Sequence, residues 1–124
     1  MSSILVSKSV QKSFGSFAAV KSLDLDIRKG ECFGLLGPNG AGKSTFIGLL
    51  YGSSVRTGGE LSIFGLDPST HAKQIKTRMG VVTQENALDE SLSVFENLNL
   101  YCGFLGIPKA ARAAKIGDLL GYMN

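Results

Sequence analysis

The 124-residue chain is short of cysteine, of charge of one sign and of long apolar runs. Its two cysteines, Cys32 and Cys102, each stand alone in an apolar setting. That pattern reads as buried free thiols and excludes a disulfide framework or a zinc site built on paired cysteines. No apolar run reaches the roughly 18 residues of a membrane span. The first residues lack the apolar stretch of a secretory signal. The chain is therefore expected in the cytosol, meeting a membrane only through a partner. Thirteen basic against ten acidic residues leave a net charge of +3. No basic run is longer than Arg28-Lys29, so the electrostatic footprint of a nucleic-acid binder is missing. Internal repeats and low-complexity segments are absent too.

Hydrophobic residues make up 44% and charged residues 19%, a balance that excludes wholesale disorder. The length suits one domain or part of one. A compact chain of 13.1 kDa hides roughly two thirds of its unfolded surface. Glycine is abundant, at 16 residues, without a Gly-X-Y period. The glycines punctuate apolar segments, as turns and close backbone approaches require.

Residues 4–10 read as a strand with Ile4, Val6 and Val10 on one face. Ser13, Phe14, Gly15 and Ser16 form a turn cluster. Residues 18–28 alternate, with Leu23, Leu25 and Ile27 against Asp24, Asp26 and Arg28. Lys29-Gly30 then predicts a hairpin into a strand over 31–36, whose continuously apolar core suits burial on both faces of a parallel sheet. A glycine-rich loop follows at 37–42. Phe46, Ile47, Leu49 and Leu50 then fall at helical spacing, with Gly52 as a stop. Gly58-Gly59 opens a strand over 60–64, Asp67-Pro68 a helix to about residue 78, and 79–83 a short apolar strand. Ser93 and Glu96 form a capping box ahead of Val94, Phe95, Leu98 and Tyr101. Residues 108–120 predict a final helix. The order is that of an α/β protein with an antiparallel start.

The chemistry lies in Gly37, Pro38, Asn39, Gly40, Ala41, Gly42, Lys43 and Ser44, which match G-x-x-x-x-G-K-[ST] between an apolar strand and an apolar helix. The glycines let backbone N–H groups turn inward around phosphate oxygens. The helix dipole points at the same place. Lys43 adds a point charge for the β- and γ-phosphates, and the Ser44 hydroxyl is a Mg²⁺ ligand. A Rossmann site would need G-x-G-x-x-G, which the loop lacks. A GTP-reading N-K-x-D is also missing. Asp118 and Gly121 match a bare D-x-x-G, but within an apolar helix, where it is coincidence.

These residues do not stand alone. Lys12, Phe14 and Gly15, then Ala19-Val20, Lys29-Gly30-Glu31, and the run from Gly34 through Thr45 resemble the ATP-binding cassette (ABC) transporter ATPases. So do Thr57 to Glu60, Gly65 to Asp67, Met79 to Gln84, and Val94, Glu96, Asn97 and Leu98. The resemblance covers nearly the whole chain and is closest to bacterial exporter ATPases of the drug-resistance and nodulation-factor type. It implies a P-loop NTPase fold with an antiparallel β subdomain. Residues 1–36 would be mostly antiparallel strands, 37–84 the core from P-loop to Q-loop, and 85–124 the start of a helical subdomain. It implies that Phe14 stacks on adenine and that Gly37 through Thr45 cradle the triphosphate. Gln84 would reach Mg²⁺ and link the site to the membrane subunit, whose coupling helix would dock near residues 85–101. ATP and Mg²⁺ are the implied cofactors. A second ATPase subunit and transmembrane permease subunits are the implied partners, with the chain peripheral on the inner membrane face.

The chain departs from the family pattern after Asn124. The signature motif, the Walker B strand with its carboxylates and the switch histidine are not in it. Thr57 to Glu60 precedes the Q-loop and is a turn into a strand, not the signature. His71 also precedes it and is a surface residue. A fragment of a longer protein is expected, with apolar strand edges exposed. The expected function is Mg-ATP binding that energises export by membrane subunits. The alternative is a non-hydrolysing nucleotide-binding or interaction fragment. A different P-loop enzyme, such as a small kinase, would need a basic lid that the helix at 109–115 supplies poorly.

Overall fold

In the computed structural model, which describes residues 2–124, the chain forms two compact units, 1–75 and 76–124. The first holds strands β1 (Ser3–Phe14) and β2 (Phe17–Arg28), helix α1 (Lys43–Leu50), strand β3 (Gly58–Ile63) and most of helix α2 (Pro68–Lys76). The second holds helices α3 (Val94–Phe104) and α4 (Lys109–Tyr122).

The sheet of the first unit has the order β2-β1-β3, antiparallel throughout. Gly15, at φ 59, and Ser16 close the β1–β2 hairpin between Phe14 and Phe17, which face each other in register. Val10, Val20 and Leu61 from the three strands pack with Phe46 and Leu49 of α1, and Leu23 and Leu25 flank them. The alternation of β2 is as expected: Leu23, Leu25 and Ile27 are half-buried, and Asp24, Asp26 and Arg28 exposed. Burying α1 on this face is what fixes the glycine-rich loop beside β2.

The face of β1 differs from the expectation. Leu5, Ser7 and Val10 are buried, while Ile4 and Val6 are only half-buried. The cause is a bulge. Ser9 takes φ 49, and the pairing shifts between Ser7 and Val10 on one side and between Lys8 and Gln11 on the other. One extra residue reverses the in–out order beyond it. The Ser9 amide donates to the Asp24 carboxylate at 2.7 Å. Gly59, at φ 78, lies so close that an added Cβ would stand 2.2 Å from the Ser9 carbonyl oxygen.

Two expected strands do not form. Lys29-Gly30 makes its tight turn, with the Glu31 amide on the Arg28 carbonyl at 3.2 Å, but residues 31–36 leave it as irregular chain. Residues 79–83 are irregular too. Both runs carry the pattern of strands buried on two faces, and no described strand pairs with either, so their backbones have no ladder to join. Their side chains are correspondingly open: Leu36 is 93% and Val82 101% exposed. Cys32 is exposed rather than buried, whereas Cys102 is buried as expected. The chain exposes 8949 Å², so it hides about half of its unfolded surface instead of two thirds.

The helices start and stop where their end residues say. Gly52, at φ 73, follows the α1 C-cap Tyr51. Ser93 and Glu96 form the full capping box of α3. At its other end Gly106, at φ 72, donates to the Gly103 carbonyl and Ile107 to the Cys102 carbonyl at 2.9 Å. That pair of bonds is a Schellman motif. The buried side of α3 is narrower than expected. Val94, Phe95 and Tyr101 are exposed, while Asn97 and Cys102 are buried and Leu98 half-buried. The segment before the helix folds onto it. Asn97 donates to the Asp89 carbonyl and accepts from the Asp89 amide, both at 2.9 Å, and Tyr101 donates to the Ala87 carbonyl at 2.8 Å.

Candidate functional site: a phosphate loop at the start of α1

The loop from Gly37 to Gly42 turns tightly before it enters the helix. The Ala41 amide donates to the Pro38 carbonyl at 3.1 Å, with Gly40 at φ 84 between them. Gly42 is the N-cap of α1, at φ 88, and makes no side-chain cap. The first helical bond runs from the Phe46 amide to the Gly42 carbonyl at 2.9 Å. The amides of Lys43, Ser44 and Thr45 therefore lie ahead of the helical ladder, at the positive end of the helix dipole. This is the geometry that receives an anion.

Gly42 could be no other residue. Its backbone presses against β2, and a Cβ there would stand 2.3 Å from the Ala19 carbonyl oxygen. The Lys43 ammonium donates to the Gly37 carbonyl, and to the Pro38 carbonyl at 3.3 Å. It is thereby held over the loop. Lys43, Ser44 and Thr45 line a cleft of about 320 Å³ together with Asn39 to Gly42, Ala19 and Phe17. A neighbouring cleft of about 550 Å³ shares the Phe17, Ala19 and loop walls and extends to Leu23, Leu35 and Phe46. One cation, several amides and two hydroxyls suit a polyphosphate. The residues lining the smaller cleft include no carboxylate.

Phe14 is not among the residues of this cluster. Phe14 is 54% exposed, and the Lys12 ammonium sits 4.8 Å from its ring centroid. Lys12 also donates to the Val55 carbonyl at 2.7 Å, and the Ser13 amide to the Thr57 hydroxyl at 3.1 Å. Neither cleft at the loop includes Phe14 among its walls; Phe17 lines both. Gln84 belongs to the second unit, in an exposed bend where the Thr83 hydroxyl donates to the Glu85 carbonyl at 2.8 Å. Ser44 is exposed at the start of α1. Among the described residues no three His, Cys, Asp or Glu side chains gather as a metal site. One hydroxyl alone does not hold Mg²⁺, which is usually bound through carboxylates together with substrate phosphates and water. The residues present fit an ion that arrives with a polyphosphate.

The sequence reading missed the roles of three side chains here. Phe17 falls between the turn cluster that ends at Ser16 and the alternating run that begins at residue 18, and its place opposite Phe14 across a two-residue turn puts it at the hairpin end. Arg56 and Asp67, eleven positions apart, form a bidentate pair at 2.8 and 2.7 Å. The Arg56 hydrogen bonds, helped by the Ser69 hydroxyl and amide, hold the Asp67 carboxyl well below the usual carboxylate range. This pair ties the turn before β3 to the start of α2.

A loop of this sequence leading into a helix, with its lysine over it and its amides at the helix start, marks a P-loop protein. The family model described as ABC transporter matches residues 20–124. The chain belongs to that family. It is 39% identical over 122 residues to Nod factor export ATP-binding protein I of Cupriavidus pinatubonensis, a match covering 98% of this chain and 38% of the relative. It is 35% identical over 116 residues to the probable multidrug ABC transporter ATP-binding protein YbhF of Escherichia coli, covering 94% of this chain and 20% of that one. The fold is that of the solved cbiO1 of Clostridium perfringens, part of the ABC transporter complex cbiONQ. The TM-score is 0.82 at 20% identity, over 98% of this chain and 50% of that structure. A solved ATP-binding subunit of an ABC transporter matches at TM-score 0.78 and 25% identity, over 86% of this chain and 45% of that one. The chain thus spans well under half the length of the curated relatives described here.

Proposed function

We propose that the chain binds Mg-ATP as part of the ATP-binding subunit of an ABC exporter. The observation that carries this is the loop: Gly42 wedged on Ala19, Lys43 over the loop carbonyls, and the amides of residues 43–45 ahead of the helical ladder. Gly37 to Thr45 hold the phosphates. Ser44 reaches the Mg²⁺ that the phosphates bring, and the Gln84 amide oxygen is a further ligand to it. Phe14 contacts the base. Export as the work done is supported by the name of the Nod factor export relative.

Binding and turnover are separate in this reading. The loop supplies positioning and charge but no general base, because its cleft walls carry no carboxylate. The chain alone binds ATP without hydrolysing it. Hydrolysis requires further segments of the subunit and a second ATPase subunit. Permease subunits attach it to the inner face of the membrane; no described helix is long and apolar enough to cross one. An apolar groove of about 510 Å³ in the second unit, with Leu88, Leu92, Val94, Leu98 and Leu119 in its walls, supports a contact there.

The test is calorimetric titration of the chain with Mg-ATP beside Lys43→Ala. Saturable binding that falls at least tenfold in the variant is expected, from the loss of a charge-assisted phosphate contact. Absence of saturable binding in the unsubstituted chain sinks the reading.

A further inference from the structure

Residues 11–13 are stitched to residues 55–57, the stretch that leads into β3. The Thr57 amide donates to the Gln11 carbonyl at 2.8 Å, the Ser13 amide to the Thr57 hydroxyl at 3.1 Å, and the Lys12 ammonium to the Val55 carbonyl at 2.7 Å. The Val55 carbonyl is a firm anchor, because the next residue is pinned. Arg56 donates to the Gly59 carbonyl at 2.8 Å and pairs bidentately with Asp67. The anchored ammonium sits over the Phe14 ring, 4.8 Å from its centroid, close enough for a cation–π attraction. An ammonium has three donors, so the bond to Val55 leaves it able to face the ring as well. Phe14 ends β1 and is more than half exposed. An exposed ring at a strand end turns about its two side-chain bonds unless something holds it. Ordering such a ring when a ligand arrives costs affinity. A ring already held on one side by a cation meets less of that cost and keeps its other face for a planar ligand.

We infer that Lys12 is a positioning residue of the nucleotide site: anchored on Val55, it holds the Phe14 ring so that the face turned away from the ammonium is ready for the base. The inference rests on the reading of Phe14 as the base contact, and it goes beyond that reading by naming what orders the ring. Lys12 is not a wall of either cleft at the phosphate loop, and it acts without touching ATP. Its effect is carried by Phe14. It therefore concerns the nucleoside end of the ligand and not the phosphates, which Lys43 and the loop amides receive.

The experiment compares calorimetric titrations with Mg-ATP and with inorganic Mg-tripolyphosphate, which has the phosphates and no base. It uses the 124-residue chain, Lys12→Met, Lys12→Arg, Phe14→Ala and the double variant Lys12→Met with Phe14→Ala. Methionine keeps the length of the stem and removes the charge; arginine keeps the charge. The expected ATP affinity is about tenfold weaker in Phe14→Ala, as for a lost stacking contact, and about threefold weaker in Lys12→Met, as for a lost exposed cation–π contact. Tripolyphosphate affinity stays unchanged in both, and Lys12→Arg keeps ATP binding. The double variant binds ATP no more weakly than Phe14→Ala, because without the ring the ammonium has nothing to hold. Unchanged ATP affinity in Lys12→Met beside a loss in Phe14→Ala overturns the inference and leaves the base contact standing. Equal losses for ATP and tripolyphosphate in Lys12→Met overturn it, because they mark a structural role or a direct effect of charge on the phosphates. Losses that add in the double variant overturn it too, as does a loss in Lys12→Arg as large as in Lys12→Met. Unchanged ATP affinity in Phe14→Ala removes the reading of Phe14, and this inference with it. Failure of the unsubstituted chain to bind either ligand removes the ATP reading altogether.

Discussion

Gly42 and Ala19 touch backbone to backbone: the space a Cβ on Gly42 would need is filled by the Ala19 carbonyl oxygen, 2.3 Å away. The contact joins the first turn of α1 to the second strand. It thus couples a piece of binding loop to the sheet core. Gly42→Ala must break either the contact or the positive φ of 88. The expected outcome is loss of detectable ATP binding by calorimetry and a thermal midpoint lower by several degrees, at about 2 kcal/mol for a strained backbone position.

The Arg56–Asp67 pair gives a pH dependence with a definite sign. Arg56 and Ser69 hold the folded Asp67 pKa below its ordinary value. The stabilisation is therefore fully present above the ordinary carboxylate pKa and is lost as pH falls through that value toward the lower folded one. Asp67→Asn is expected to cost about 1 kcal/mol at pH 7, a modest figure because the carboxylate is partly exposed. Urea midpoints of the two proteins should converge as pH is lowered below about 4. A gap that stays constant with pH would show that the carboxylate charge is not the cause.

Asn97 is buried, and its amide serves the Asp89, Leu92 and Ser93 carbonyls and the Asp89 amide at once. Asn97→Ala leaves these groups short of partners, at about 1–3 kcal/mol. Hydrogen exchange should show residues 87–93 losing protection while the β1–β2 hairpin keeps its own. Asn97→Asp should also destabilise, since a carboxylate cannot donate to the carbonyls.

Ser93 caps α3 through its hydroxyl on the Glu96 amide at 3.1 Å, and Glu96 returns the bond to the Ser93 amide at 2.7 Å. Ser93→Ala is expected to cost about 1 kcal/mol. Because the Ser93 amide, and then its hydroxyl, hold the Glu96 carboxyl below its usual range, an NMR titration should find the Glu96 pKa moving up in the variant.

What the sequence made legible was local. Gly15-Ser16, Gly52, Gly58-Gly59 and the Ser93–Glu96 box each act over three or four residues, and each ends or starts an element where expected. The phosphate loop is local in the same sense, and its lysine and glycines lie as their chemistry requires. The strands at 31–36 and 79–83 were not local. An apolar run shows that a strand would be buried, but its hydrogen bonds belong to neighbours elsewhere in the chain. The inward face of β1 was illegible because Ser9, a residue without a turn signature, carries the bulge. Phe17 was passed over because its meaning comes from the loop that folds beside it.

The Ser9 bulge decides between two readings of one strand. Before it, β1 offers two faces, Leu5 with the polar Ser7 and the apolar Ile4 with Val6, and Leu5 and Ser7 are the buried ones. Beyond it, Val10 must point at Phe46 and Leu49. Gly59, bare of a side chain, is the notch that receives the extra residue. Ser9 and Gly59 act as a key and keyhole for strand phase: widening the key by an inserted residue, or filling the keyhole with a methyl group, would send the hydroxyl of Ser7 outward and bring Val6 in.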